Sequence, residues 1–435
     1  MKIAVIGYGR QGKSAAEYWH KLNHSVTICD QNTSVITPNW ANKQLGKNYL
    51  KNLKSFDLIV RSPMVHPSAL AKAGGGDILK KGTTTTNEFM QVCPTKNIIG
   101  VTGTKGKGTT STLITKMLES TSKTVHLGGN IGIDPLQLLK NNIKKDDWVV
   151  LELANFQLID LKYSPHIAIC LTFAEEHTDW HKDINEYKNA KKELFEHQKA
   201  NDIAIYYAKN QHSKEIACIS KGIKIPYFAA PGAYVKDEQI VIDNTVICNI
   251  KDIKLLGTHS WQNICAATTA VWQICKDIDA IQRTISNFEP LPHRIQLVRS
   301  VNNVHYYNDS FSTGQASTIA AIKAISGQKV LILGGYDRYI NLEPLYKIII
   351  EHKNDLRHLL LLGQSAERLA KELKEHGYTN FTLTSANTMP QIIKEATAIA
   401  QPNDAVVLSP AFASFGMFKD FEDRGEQFIK YVQAL

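Results

Sequence analysis

The sequence predicts an α/β protein of three domains, each built around a parallel β-sheet. At 435 residues, the chain has room for about three domains of roughly 150 residues each. Apolar runs of strand length alternate with helix-compatible segments, as is typical of parallel sheets. Two glycine-rich turns, at residues 7–12 and 100–110, each follow an apolar run and precede a helical segment. Such turns are typical of domains that bind phosphate groups.

Composition is that of an ordinary globular protein. Hydrophobic residues make up 43% and charged residues 21%, which excludes a disordered, collagen-like or coiled-coil chain. No apolar run approaches the roughly 18 residues of a membrane helix, and Ile3–Ile6 is too short for a signal-peptide core. The seven cysteines form no Cys-x-x-Cys pair. We therefore expect a cytoplasmic protein with no disulfide framework, zinc site or membrane partner.

Positive charge is concentrated at the N-terminal end. The formal net charge is +9, and residues 1–95 contain 12 Lys and Arg against 5 Asp and Glu. This excess favours either solubility or an anionic ligand of the first domain, and both interpretations stay open. The basic residues are scattered rather than striped with aromatic residues, so we expect no nucleic-acid partner.

The first predicted domain, residues 1–92, has a Rossmann-like beginning. A strand, a glycine turn, a helix, a second strand and an acid follow in order: Ile3–Ile6, Gly7–Gly12, Lys13–Leu22, Ser25–Cys29 and Asp30. A further strand, Leu58–Val60, runs into Arg61-Ser62-Pro63. The glycines would let the backbone approach a diphosphate, although a tightly packed turn without a ligand is the alternative.

The second predicted domain, residues 93–290, is P-loop ATPase-like, with a parallel sheet and short β segments between residues 201 and 252. Strand Asn97–Val101 leads into the loop Gly100–Thr110 and the helix Ser111–Ser120. Backbone N–H groups of such a loop can wrap phosphate oxygens, and Lys107 adds a positive charge. Gly108 stands where a standard Walker sequence has a Mg²⁺-binding hydroxyl, and Thr109 follows it. We expect this loop to bind ATP.

The third predicted domain, residues 291–435, is again Rossmann-like. It follows the linker Pro290-Leu291-Pro292, and its apolar strands are Val330–Leu333, His358–Leu362 and Ala405–Leu408.

An acidic residue ends one apolar strand of the second domain. Glu152 lies at the end of the predicted strand Trp148–Leu153, where a carboxylate would face a cleft at the carboxyl edge of the sheet and could hold Mg²⁺. A helix-capping role is the alternative interpretation.

Ordered motifs along the whole chain resemble the Mur ligase family of ATP-dependent amide ligases, in particular its glutamate-adding branch. They are Gly100–Thr110, Gly129–Gly132, Leu151–Leu158, His177–His181, Tyr187–Lys191, Gly257–His259 with Asn263, Leu291–Arg294, Asn308–Ser310, Gly334-Gly335, and Leu408–Ala411 through Ser414 to Phe421. The resemblance implies ATP and Mg²⁺ as cofactors. It implies UDP-N-acetylmuramoyl-L-alanine and glutamate as substrates, joined through an acyl phosphate, and we expect a monomer.

The resemblance also implies roles for individual residues. The catalytic residues would be Lys107, Glu152, His177 and Lys191, with Lys191 carbamylated, and the metal ligands would be Thr109, Glu152, His177 and Lys191. ATP would contact Gly103, Thr104, Gly106, Lys107, Gly108, Thr109, Thr110, Asn263, Arg294 and Asp309. The UDP-linked substrate would contact Gly7, Gly9, Arg10, Gln11, Asp30, Ser62 and Asn130, and glutamate would contact Thr313, Arg338, Ser414 and Phe421.

Several residues depart from the glutamate-adding pattern. Phe311 replaces a usual lysine, Gly314 a usual asparagine and Gly416 a common aspartate, and Arg338 stands in place of a lysine. We expect D-glutamate as the acceptor, and an L-glutamate-adding variant stays open. Three alternative functions each fit part of the sequence: a folylpolyglutamate synthase-like ligase, an NAD-binding oxidoreductase and a non-catalytic nucleotide sensor. Folylpolyglutamate synthases lack a domain equivalent to residues 1–95, and an oxidoreductase would leave Gly100–Thr110 and Lys191 unexplained.

Overall fold

Four β-sheets organise the chain in the computed structural model, which describes residues 1–176 and 180–435. Contacts divide the chain into two compact units. The first unit comprises Met1–Asp252 and Trp261–Ser286, and the second comprises Ile253–Ser260 and Asn287–Leu435. Three sheets belong to the first unit and the fourth belongs to the second.

The first sheet contains five parallel strands. They are β1 (Lys2–Ile6), β2 (Ser25–Asp30), β3 (Asn42–Leu45), β4 (Leu58–Arg61) and β5 (Gly82–Thr83), in the spatial order β3-β2-β1-β4-β5. The accompanying helices are α1 (Arg10–Lys21), α2 (Pro67–Gly74), α3 (Gly76–Lys80) and α4 (Thr85–Val92). Helix α1 begins three residues earlier than the sequence predicts, because the chain turns sharply at Gly7, where φ is 84°.

The second sheet contains six parallel strands. They are β6 (Ile98–Thr102), β7 (Val125–Gly129), β8 (Trp148–Glu152), β9 (Ile167–Cys170), β10 (Ile203–Tyr207) and β11 (Ile223–Tyr227), in the order β11-β10-β9-β6-β8-β7. The helices of this region are α5 (Lys107–Ser120), α6 (Pro135–Leu138), α7 (Asn155–Leu158), α8 (Ile184–Glu196), α9 (Gln211–Ala217), α10 (Thr258–Trp272) and α11 (Ile278–Asn287). A small antiparallel sheet follows, formed by β12 (Tyr234–Lys236), β13 (Gln239–Ile242) and β14 (Thr245–Asn249).

The fourth sheet has six strands, of which only the first in the chain, at one edge, is antiparallel to its neighbour. They are β15 (Gln296–Val301), β16 (Val304–Asn308), β17 (Lys329–Gly334), β18 (Leu356–Leu362), β19 (Phe381–Leu383) and β20 (Ala405–Leu408), in the order β15-β16-β20-β17-β18-β19. Its helices are α12 (Gln315–Ala324), α13 (Glu343–Glu351), α14 (Ala366–Glu375), α15 (Met389–Ile399) and α16 (Phe421–Gln433). Short 3₁₀ turns lie at Gly46–Asn48, Leu53–Ser55, Leu139–Asn141, Ile250–Asp252 and Lys353–Asp355.

The apolar core follows from strands that are buried on both faces. In β17, Leu331 and Leu333 join one apolar cluster, while Val330 and Ile332 join another, because successive side chains point to opposite faces. In the first unit, a single cluster contains residues of both large sheets, such as Val5 of β1 and Leu151 of β8. The predicted α/β class with parallel sheets is therefore confirmed.

No helix within the described part of the chain combines the length and the apolar character that crossing a membrane requires.

The glycine turn after β1 yields a stability prediction. A Cβ atom at Gly12 would lie 1.9 Å from the carbonyl oxygen of Gly7, which is backbone and cannot rotate away. We expect Gly12→Ala to reduce the free energy of unfolding by roughly 2–3 kcal/mol, measured by urea denaturation.

The matched control is Gly76→Ala. A Cβ atom there meets nothing within 4 Å, and the residue lies in α3. Alanine is better than glycine in a helix by up to about 1 kcal/mol, so this variant should match or exceed the wild-type stability. A Gly12→Ala protein as stable as Gly76→Ala would contradict the steric argument.

Candidate active site

The glycine-rich loop after β6 is held between the ends of two neighbouring strands. The hydroxyl of Thr102 donates to the carbonyl of Leu153 at 2.9 Å, beyond the end of β8. On the other side, the N–H of Leu171 donates to the carbonyl of Thr102 at 2.9 Å, and the N–H of Thr104 donates to the carbonyl of Thr172 at 2.8 Å. The loop therefore has a fixed position at the carboxyl edge of the second sheet.

Two positions of this loop require glycine. Gly103 has a φ of 143°, and a Cβ atom there would lie 2.7 Å from the Cβ of Leu171. Gly106 has a φ of 86°, and a Cβ atom there would lie 2.2 Å from Oδ1 of Asn263. Helix α5 begins directly afterwards, so the N–H groups of its first turn lie beside this loop. Such a helix N-terminus is suited to binding an anion.

The other predicted ATP contacts of this unit surround the same loop. The ammonium of Lys107 donates to the carbonyls of Gly103 and Thr104, at 3.0 and 3.1 Å. The hydroxyl of Thr110 donates to Oδ1 of Asn263 at 3.4 Å. Gly108 and Thr109 occupy the first turn of α5, the former buried and the latter half-buried.

Lys191 of α8 brings a second ammonium to the loop. Its side chain is buried, and Nζ donates to the carbonyl of Gly103 at 3.0 Å and lies 4.5 Å above the ring of Tyr187. Burial, and secondarily the positive charge of Lys107, lower the pKa of Lys191 to about 7. A large fraction of Lys191 is therefore a neutral amine at neutral pH, which is the nucleophilic form.

Glu152 connects this edge of the sheet to the first sheet. It ends β8 and is buried, and its Oε1 accepts a hydrogen bond from Nδ2 of Asn130 at 2.8 Å. The carbonyl of Asn130 in turn accepts a hydrogen bond from the guanidinium of Arg10 at 2.9 Å. Three predicted site residues therefore form one chain of contacts.

The donor set fits a hard cation. The Glu152 carboxylate and the Thr109 hydroxyl are the oxygen ligands that Mg²⁺ prefers. Lys191 would join them as a carboxylate only after carbamylation, since an ammonium does not ligate a metal. His177, the remaining predicted ligand, lies outside the described residues.

A cavity of about 460 Å³ lies beside Asn130 in the first unit. All seven residues predicted to contact the UDP-linked substrate line it: Gly7, Gly9, Arg10, Gln11, Asp30, Ser62 and Asn130. Its walls come from the glycine turn after β1, the loop after β4 and helix α7. The structure therefore brings these residues together around one space.

The hydrogen bonds of two lining residues hold the backbone of this cavity. Asp30 accepts hydrogen bonds from the backbone N–H groups of Tyr8 and Asn32, at 2.6 and 2.8 Å. The hydroxyl of Ser62 donates to the carbonyl of Gly7 at 2.5 Å. Asp30 and Ser62 thus fix the shape of the glycine turn.

A further group of possible metal ligands lies near the cavity. The imidazole nitrogens of His66 and His181 each lie 3.3 Å from Oε2 of Glu186, and the three ligand atoms lie within 4.8 Å of one another. The same oxygen accepts a hydrogen bond from the N–H of Lys182. Nδ1 of His66 accepts a hydrogen bond from the N–H of Ser68, which leaves the proton on Nε2, facing Glu186. We therefore interpret this group as a hydrogen-bonded cluster.

In the second unit, the predicted ATP contacts Asp309 and Arg294 lie close together. The buried Asp309 carboxylate accepts hydrogen bonds from the hydroxyls of Ser312 and Ser409, at 2.5 and 2.7 Å. Burial raises the pKa of Asp309 to about 6. The guanidinium carbon of Arg294 lies 3.6 Å from the centroid of the Phe311 ring, a cation–π contact.

The predicted glutamate contacts have different environments within this unit. Phe421 meets Phe311 edge to face, with centroids 5.0 Å apart. Thr313 donates its N–H to the carbonyl of Phe311 at 2.8 Å, and Ser414 is buried. Arg338 is exposed, next to Asp337, whose buried carboxylate accepts two hydrogen bonds from Arg368. The aromatic contact joins Phe421 to the segment that carries Thr313.

Sequence reasoning missed several residues that build the cavity beside Asn130. Tyr8, Tyr49, Met64 and Phe156 line the cavity, and the fully buried Arg61 supports it from behind. Arg61 carried a physical signal of its own, because a charged residue at the end of an apolar strand requires a partner when it is buried.

Comparisons with known proteins cover most of the chain. A model of the Mur ligase middle domain matches residues 101–271, and a model of the Mur ligase glutamate ligase domain matches residues 293–412. A Clostridium tetani protein named UDP-N-acetylmuramoylalanine–D-glutamate ligase is 34% identical over 100% of this chain and 97% of its own length. A protein of the same name from Acetivibrio thermocellus is 35% identical over 100% of this chain and 96% of its own length.

Solved structures show the same fold at low sequence identity. MurF from Acinetobacter baumannii has a TM-score of 0.64 and 15% identity, covering 99% of this chain and 90% of its own. MurC from Thermotoga maritima has a TM-score of 0.61 and 13% identity, covering 100% and 99%. MurF from Thermotoga maritima in complex with ADP has a TM-score of 0.59 and 16% identity, covering 100% and 95%.

Lys191 yields a prediction on pH dependence. Its pKa in the folded state is about 7, against about 10.4 in an unfolded chain, so the unfolded state binds more protons between these values. Burial of the ammonium therefore lowers the free energy of unfolding most below pH 7, and this loss becomes smaller as the pH rises towards 10. In buffer depleted of CO₂, we expect Lys191→Met to increase the free energy of unfolding by roughly 4 kcal/mol at pH 6.5, and by roughly 1 kcal/mol at pH 9.5.

Urea denaturation at the two pH values measures this difference. Lys192→Met changes the half-buried neighbour on the same helix and serves as the control, with the same effect expected at both pH values. A pH-independent effect of Lys191→Met would show that the buried ammonium imposes no such cost.

Proposed function

The chain belongs to the Mur ligase family, and we propose that it is the ATP-dependent ligase that joins D-glutamate to UDP-N-acetylmuramoyl-L-alanine in peptidoglycan biosynthesis. The name shared by its curated relatives, which match nearly the full length of both chains, supports this choice within the family. The same similarity favours it over a folylpolyglutamate synthase-like ligase, an oxidoreductase or a nucleotide sensor.

The observation that carries the proposal is the position of Lys191 at the glycine-rich loop. Two lysines, Lys107 and Lys191, donate to the same carbonyl of Gly103. Lys107 would supply the positive charge that stabilises a phosphate. Lys191 is buried, and its pKa is lowered to about 7, so its neutral amine is available to react with CO₂. Carbamylation would convert it into a carboxylate and remove the repulsion between two neighbouring cations.

The proposed reaction has two steps. An oxygen of the alanyl carboxylate attacks the γ-phosphorus of ATP, the bond to the bridging oxygen breaks, and ADP leaves with that electron pair. The amine of glutamate, having lost a proton, then attacks the acyl phosphate carbon. The tetrahedral intermediate loses the extra proton from its nitrogen to solvent and expels inorganic phosphate with the electron pair of the broken C–O bond, which leaves the amide. Neither step requires a nucleophilic side chain from the protein.

The protein has to hold several anions together while their charge moves. The N–H groups of the loop and of the first turn of α5 would bind the phosphates of ATP, and Lys107 would stabilise the charge that develops at the γ-phosphate. Glu152, Thr109 and carbamylated Lys191, with His177, would hold Mg²⁺. The metal supplies Lewis-acid stabilisation of phosphoryl oxygens.

The substrates would occupy distinct regions of the two units. The cavity beside Gly7–Gly12 would take the UDP-linked substrate, with Asn130 hydrogen-bonded to both Arg10 and Glu152. In the second unit, Arg294 and Asp309 would contact ATP. Glutamate would bind to Thr313, Arg338, Ser414 and Phe421, where a guanidinium suits a two-point contact with a carboxylate.

One assay tests the proposed function. The protein is mixed with ATP, Mg²⁺ and UDP-N-acetylmuramoyl-L-alanine, and phosphate release is measured with D-glutamate, with L-glutamate or with no amino acid. We expect release with D-glutamate to exceed both other rates by at least about 100-fold. Phosphate release with L-glutamate alone would show that L-glutamate, not D-glutamate, is the acceptor. No phosphate release with either amino acid would contradict the proposed function.

A second test addresses the role of Lys191. Lys191→Ala removes the group that would be carbamylated, so we expect phosphate release to fall by at least about 100-fold. A short carboxylic acid such as acetate should restore part of the rate by occupying the vacated space. Lys192→Ala is the matched control and should keep nearly the wild-type rate. Full activity of Lys191→Ala would contradict the assignment.

A further inference from the structure

Arg61 is a buried cation with an unusually complete set of partners. It ends β4, and only 1% of its side chain is exposed. Its Nε and Nη2 donate to the two carboxylate oxygens of Asp160 at 2.7 and 2.6 Å, a two-point ion pair. A buried charge is tolerated when it is paired and its remaining donors are satisfied.

The remaining donors of Arg61 reach backbone carbonyls. Nη1 donates to the carbonyls of Ser62, Pro63 and Val65, at 3.1, 3.1 and 2.8 Å. Nη2 also donates to the carbonyl of Phe156 at 3.0 Å. All three nitrogens of the guanidinium are therefore engaged.

These carbonyls belong to two separate segments that line the 460 Å³ cavity. Ser62, Pro63 and Val65 form the loop after β4, whereas Phe156 belongs to α7 of the second sheet. A guanidinium is rigid and planar, so fixing Asp160 and the Phe156 carbonyl at one edge determines where the loop carbonyls can lie at the other.

The loop then transmits this position to the glycine turn. The hydroxyl of Ser62 donates to the carbonyl of Gly7, and the N–H of Ser62 donates to the carbonyl of Ile6 at 2.9 Å. A shift of the loop would therefore move the turn that faces the cavity. Asp160 is held independently, because its carbonyl accepts a hydrogen bond from Nδ2 of Asn87 at 2.9 Å.

We propose that Arg61 is a positioning residue for the UDP-linked substrate: it sets the shape of the loop Ser62–Val65 from behind the cavity wall, without contacting the substrate. This inference rests on the proposed function for the identity of the ligand. The positioning itself is a property of the free protein.

Two variants separate the parts of this arrangement. Arg61→Lys keeps the positive charge beside Asp160, but one ammonium cannot reach both the carboxylate and the separate loop carbonyls. Asp160→Asn keeps the guanidinium and removes the charge that orients it. The matched control is Arg357→Lys in the second unit, where Arg357 likewise makes a two-point contact with a buried carboxylate, that of Asp404.

The first measurement is amide hydrogen exchange of the free protein. In the wild type, the N–H groups of Ser62 and Val65 donate to the carbonyls of Ile6 and Ser62. We expect exchange of this segment to be at least about 10-fold faster in Arg61→Lys, a smaller acceleration in Asp160→Asn, and no change there in Arg357→Lys. Unchanged exchange in Arg61→Lys would overturn the inference, whatever the enzyme's substrate is.

The second measurement is steady-state kinetics at a temperature where circular dichroism shows every variant folded. We expect Arg61→Lys to raise KM for UDP-N-acetylmuramoyl-L-alanine about 10-fold, with kcat and KM for ATP within about twofold of wild type. A lower melting temperature with unchanged KM would indicate a merely structural ion pair and overturn the inference. Wild-type protein without phosphate release would instead refute the proposed function, while the exchange data would still decide the role of Arg61.

Discussion

The site at the glycine-rich loop depends on one constraint: β6 is hydrogen-bonded to β8 on one side and to β9 on the other. Because the strands are parallel, their carboxyl ends meet at one edge, and each end contributes something different. β6 delivers the glycine-rich loop, and β8 delivers Glu152. The segment after β9 anchors the loop through the carbonyl of Thr172. A shift of any of these strands would separate groups that we propose act on the same phosphate.

Two buried cations in the first unit illustrate how burial and pairing decide what a side chain can do. Arg61 donates to a carboxylate and four carbonyls, so its guanidinium is held in one position and serves as a rigid support. Lys191 donates to the carbonyl of Gly103 and lies near the positive charge of Lys107, and its pKa falls to about 7. Desolvation is the main cause of this lowered pKa of Lys191, and the hydrogen bond to a single carbonyl does not offset it. A buried ammonium such as that of Lys191 lowers the free energy of unfolding, and buried groups with shifted pKa values are typical of functional sites.

Much of the fold can be predicted from the sequence, because the strands are apolar on both faces and the glycines stand at the turns that need them. The apolar run Ala405–Leu408 predicts β20 to the residue, and the seven residues proposed for the UDP-linked substrate surround one cavity. The supporting residues are harder to predict. Arg61 and Asp160 are 99 positions apart, so their contact depends on tertiary packing. Phe156 lines the cavity by virtue of α7, a helix of only four residues with no clear apolar period.

Phe311 of the second unit is a residue at which we expect a departure from the family pattern, a ring in place of a lysine. Its ring contacts the guanidinium of Arg294 and meets the ring of Phe421 edge to face. Such a ring orients the guanidinium, because a guanidinium stacks on an aromatic face. The buried Asp309 carboxylate lies near Arg294 as well, and its two serine partners keep it in place. The Phe311 ring and the buried Asp309 carboxylate therefore both orient Arg294, the residue that we propose contacts ATP.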